Sequence, residues 1–164
     1  ESSVEYFTKG VDYAHGQERT VQRLALYINK LLADFYCGER VKENQIRTIM
    51  REINDGMVRN NLLPFISSRY VLNVLSIALQ QNFELGMDLL LSFPIRNLLD
   101  QGIRSNPIGG GQILLQTAYL EQKYKNLNLL SNPPSYDSVE PITGVRKEFI
   151  EKYGINPFYF CTWL

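Results

Sequence analysis

The sequence predicts an all-α fold. Two observations carry that expectation: apolar residues recur at three- and four-residue steps in several separate stretches, and no segment alternates with a period of two long enough to claim a sheet. At 164 residues, with 45% hydrophobic and 21% charged residues, the chain has the composition of one globular domain able to close a core.

The elements follow in order. From Gln17 to Tyr36, Val21, Leu24, Ile28, Leu31, Leu32 and Phe35 define an amphipathic helix, stopped by a turn at Cys37-Gly38. In the next helix Ile46, Ile49, Met50 and Ile53 share a face, and "NDG" at Asn54 to Gly56 supplies its stop. Pro64 interrupts the following apolar stretch, so a helix is expected to restart with Ser67 or Ser68 as its N-cap. "NVLSIALQQNFELGMDLLLS", Asn73 to Ser92, is helical in spacing but broken around Gln81-Asn82. A short helix at Ile95 to Gln101 and an open loop through "NPIGGGQ" come next, and then "ILLQTAYLEQKYKNLNLLS" from Ile113 to Ser131. "SNPPSYDSVEPITG" reads as an irregular connection, "VRKEFIEKYG" as a last helix, and "INPFYFCTWL" as an extended aromatic tail.

The two long stretches share one layout. Aligned on Ala78 and Ala118, Leu75 falls on Leu115, Met87 on Leu127, Leu89 on Leu129 and Leu90 on Leu130. Each copy then reads as a short helix, a tight turn and a second short helix. This resembles the ankyrin repeat, with Asn73, Leu75 and Ala78 at its threonine, leucine and first alanine positions, Asn82 at its turn glycine, where asparagine is the next best residue for a left-handed turn, and Leu89-Leu90 at its leucine pair. In the second copy Leu115, Ala118, Leu129 and Leu130 match. Val74 and Leu114 replace the proline, Ser76 and Gln116 the histidine, and Gln122 the glycine; the period is 40 residues where ~33 is usual. An irregular helical bundle is the alternative. Under the ankyrin-like reading, residues 1–164 are a single helical domain: 1–66 an N-terminal helical cap, 67–131 the ankyrin-like pair, and 132–164 the proline-containing connection, last helix and aromatic tail.

The resemblance implies a protein-binding module without a cofactor. Its contact surface would be loop tips and first-helix faces: Gln80, Gln81, Leu120 and Lys123, with the loop residues Arg96, Arg104 and Asn106. "PPSY" is similar to WW-domain ligands, which adds Pro133, Pro134 and Tyr136. The terminal "TWL" resembles a PDZ-binding ending.

Seventeen basic residues balance seventeen acidic ones, and a nucleic-acid binder would show a basic excess. No apolar run reaches the ~18 residues that span a bilayer, and "ESSVEYFTKG" lacks a signal-peptide pattern. Cys37 and Cys161, far apart, fit a reducing compartment better than a disulfide scaffold, and each reads as a small buried hydrophobe. A start without Met suggests a domain cut from a longer chain. The alternative function is an enzyme, or an accessory domain of one, with a site near the glycine loop and His15, the single histidine. Glycines before a helix could hold an anion, but they also simply let a connection turn. The carboxylates Asp34, Glu43, Glu52, Asp55, Asp88, Asp100, Glu148 and Glu151 read as solvated faces, and no catalytic or metal-ligating set stands out. Abundant Asn, Lys, Ile and Tyr with degenerate helical repeats resemble effector proteins that intracellular bacteria deliver into host cells. That likeness implies a cytoplasmic setting in a host cell and a host protein as partner.

Overall fold

The computed structural model describes residues 3–16, 20–59, 62–124 and 126–130, with backbone alone at Ser3, residues 11–16, Thr20 and 107–109. Among these, seven helices and no strand are found: α1 (Ser3–Gly16), α2 (Thr20–Tyr36), α3 (Glu43–Val58), α4 (Pro64–Gln81), α5 (Phe83–Ser92), α6 (Ile95–Ser105) and α7 (Pro107–Lys123). The all-α expectation holds. No helix among the described residues is long and apolar enough to cross a membrane. The proline-rich connection with Pro133, Pro134 and Tyr136, the helix expected after it, the aromatic tail and Cys161 all lie outside the described residues, as does the side chain of His15.

The chain forms two compact units, one of Glu1–Leu63 with Asn73–Phe93, the other of Pro64–Leu72 with Pro94–Leu164. The division therefore falls inside α4, and α4 itself begins before the 66/67 boundary expected for a repeat pair.

In the first unit the apolar stripes read from the sequence are the core. Leu24, Ile28, Leu31 and Leu32 of α2 are buried, as are Ile46, Ile49, Met50 and Ile53 of α3. The connection between these helices turns at Gly38, whose φ of +88° is a left-handed conformation that glycine adopts without strain. So short a connection, Cys37 to Lys42, makes α2 and α3 antiparallel neighbours. Cys37, expected as a small buried hydrophobe, is exposed in this turn.

"NDG" does not stop α3, which runs on to Val58 with Gly56 buried. A Cβ at Gly56 would stand 2.5 Å from Leu62 Cδ1, so this glycine makes room for the returning chain.

The serine caps expected for the next helix are also displaced. Pro64 opens α4, because a first-turn proline has its φ preset and needs no N–H partner. Ser68 instead lies fully buried in the second unit, its hydroxyl 2.8 Å from both the Pro64 and Leu98 carbonyls.

The break at Asn82 is real but differs in kind from the left-handed turn the resemblance implied. Asn82 is extended, with φ −155° and ψ 107°, and its Oδ1 accepts from the Glu84 and Leu85 amides. It ends α4 and N-caps α5. Replacing it with alanine is expected to cost about 1 kcal/mol, and with glycine only a few tenths. Thermal melts of both variants check this order; a left-handed turn would instead favour glycine.

The second stretch departs further. "NPIGGG" is not an open loop: Pro107 begins α7, and Gly109 to Gly111 lie in its first turns. A Cβ at Gly110 would come 2.7 Å from the Ile103 carbonyl oxygen, so the glycine permits close approach of α7 to α6. The short helix expected over Tyr124–Leu130 does not form. Asn126 and Asn128 take positive φ of 69° and 50°, which asparagine tolerates singly but a right-handed helix does not. Leu127, Leu129 and Leu130 are nonetheless buried. Arg96 holds this hook by donating from Nε to the Asn128 carbonyl at 2.6 Å, and the Glu121 carboxylate accepts from the Leu129 amide.

Candidate functional site

The expected contact residues separate into those the fold consumes and those it leaves outside. Gln81 is consumed. Its Nε2 donates to the Val41 carbonyl at 2.6 Å and its Oε1 accepts from the Val41 amide at 2.9 Å. One side-chain amide thus satisfies both backbone groups of a residue that is 3% exposed. Gln81→Ala is expected to cost about 2 kcal/mol, because both groups lose a partner in a half-buried place. Gln81→Glu recovers only the amide bond, and amide exchange at Val41 reads both variants.

Gln80 is half-buried and donates to the Ser76 hydroxyl. Leu120 is fully buried and cannot meet a partner; it belongs to the inward stripe of α7. Arg96 is exposed but commits its guanidinium to the 127–128 carbonyls. Asn106, expected in a loop, caps the C-terminus of α6, and its carbonyl accepts from Gly110 N. Arg104 and Lys123 are exposed, Lys123 lying over the Tyr119 and Tyr124 rings at 5.7 and 5.4 Å. Gln80 and Gln81 belong to the first unit and the other five to the second.

Several carboxylates expected on solvated faces are paired. Arg47 of α3 reaches Glu43 at 2.8 Å and Asp88 of α5 at 2.6 Å, and these bonds, Asp88's first, hold the guanidinium above its usual pKa. Arg23 meets Glu52 at 2.9 Å, and Lys30 meets Asp34 at 2.5 Å. Among the described residues no group of His, Cys, Asp and Glu is arranged to hold a metal ion.

Among the described residues, a groove lies open between α2 and α3 within the first unit. Its floor is Leu31 and Ile49, its walls Tyr27 and Thr48, and its volume about 310 Å³, at the lower end of ligand-sized cavities. Lys30 stands toward the α2–α3 connection, beside Asn44 and Gln45, and Glu52 toward the other end, fixed there by Arg23. The groove-lining charges are therefore a cation at one end and a carboxylate at the other. Their partners Asp34 and Arg23 are outside the lining. All four side chains are one-sixth to one-third exposed, so their interactions are less damped by water than those of fully exposed ions.

A second depression of about 610 Å³ is lined by Arg40, Lys42 and Glu43 with Gln81 and Asn82. Its amides are already engaged in the Val41 clasp and the α5 cap, which makes it the weaker candidate.

The signal for the groove was present in the sequence. Arg23, Tyr27, Lys30 and Asp34 follow one another at helical spacing along the border of the α2 apolar stripe, and Gln45, Thr48 and Glu52 do the same on α3. Pairing those borders needs the helix packing, which spacing alone does not supply. Comparison with protein families, curated proteins and solved structures finds no match.

Proposed function

We propose that the chain is a protein-interaction module that docks a partner polypeptide on rigid helices and needs no cofactor to do so. The groove between α2 and α3 carries this reading: an apolar floor with a sparse polar rim, on helices whose buried stripes fix its width. Recognition there rests on anchor side chains entering a preformed depression, with rim charges setting orientation. The break at Asn82, together with burial of Asn73, Leu75, Ala78, Leu89 and Leu90, supports an ankyrin-like unit in the first copy. The missing helix after Lys123 leaves the second copy without its counterpart. The composition-level likeness to bacterial effectors supports a host protein as partner, met in the host cytosol. Of the two features behind the enzyme alternative, the glycine stretch is helical, with Gly110 close against Ile103 of α6, and the His15 side chain lies outside the described residues.

The experiment is a selection of displayed random 16-residue peptides on the immobilised chain, followed by fluorescence anisotropy in solution. The reading expects one enriched class combining apolar anchors with charges, binding near the micromolar range, about −8 kcal/mol. Failure to enrich any class beyond an unrelated helical protein would refute it.

A further inference from the structure

We draw no further inference here: the strongest candidate, the outward apolar line of Phe83, Met87 and Leu91 on α5, is left partly or largely exposed, and nothing in the structure shows what covers it.

Discussion

Gly102→Ala is expected to destabilise the second unit by about 3 kcal/mol, against the helix-propensity gain of about 1 kcal/mol that the same change gives in an open helix. Gly102 is buried in the last turn of α6. A Cβ there would overlap Ser68 Oγ, and would stand 2.7 Å from Ser68 Cβ and 3.1 Å from the Pro64 carbonyl oxygen. None of these is the far end of a flexible chain. Ser68 is fully buried, and its hydroxyl is held between the Pro64 and Leu98 carbonyls. Relief requires either turning that hydroxyl away from its acceptors, which leaves a buried polar group unpaired, or separating α6 from the first half of α4. Amide exchange of α6 reports the loss directly. Ser68→Gly, which removes the colliding atoms, should make Gly102→Ala much less costly in the double variant.

The second large effect is Gly86→Ala in the first unit, expected to cost about 2 kcal/mol. Here the added carbon would overlap Leu79 Cδ2, and would meet its Cγ at 2.6 Å and its backbone α-carbon at 3.2 Å. Leu79 is 3% exposed, so its side chain has no vacant space to rotate into, and its backbone cannot yield without moving α4. The glycine allows α5 to lie against the last turns of α4 after the sharp break at Asn82. Thermal unfolding of the variant checks the size. Leu79→Ala in the Gly86→Ala background should be cheaper than Leu79→Ala alone, since the cavity and the added methyl offset one another.

Legibility in the sequence followed how local each cause is. The α2 and α3 stripes were readable because burial on one face of a helix leaves a period near 3.6 in the residues themselves. The turn at Gly38 was readable for the same local reason. Gly56, Gly86, Gly102 and Gly110 were not, since a glycine that stops a helix and one that admits a neighbouring chain look alike. At Gly56 and at the triple glycine, that ambiguity produced a helix end and a loop where the structure has continuous helix. Leu127 to Leu130 misled in the opposite way. They are buried, but Asn126 and Asn128, at positive φ, prevent the second short helix expected there.

The candidate site was less legible than the fold. Gln81 and Arg96 looked like free contact residues because the sequence cannot say whether a polar side chain answers a partner or a nearby backbone group. Val41 and the 127–128 carbonyls claim them. Tyr27, Lys30, Thr48 and Glu52 went unselected because the groove exists only once α2 and α3 lie side by side.

The most direct measurement is a methyl chemical-shift titration of the isotopically labelled chain with the tightest peptide from the selection. The largest saturating shifts are expected on Leu31 and Ile49, with Thr48 following, while methyls of the second unit such as Leu115 stay still. Shifts confined to the second unit, with Leu31 and Ile49 unmoved, would contradict docking in the α2–α3 groove.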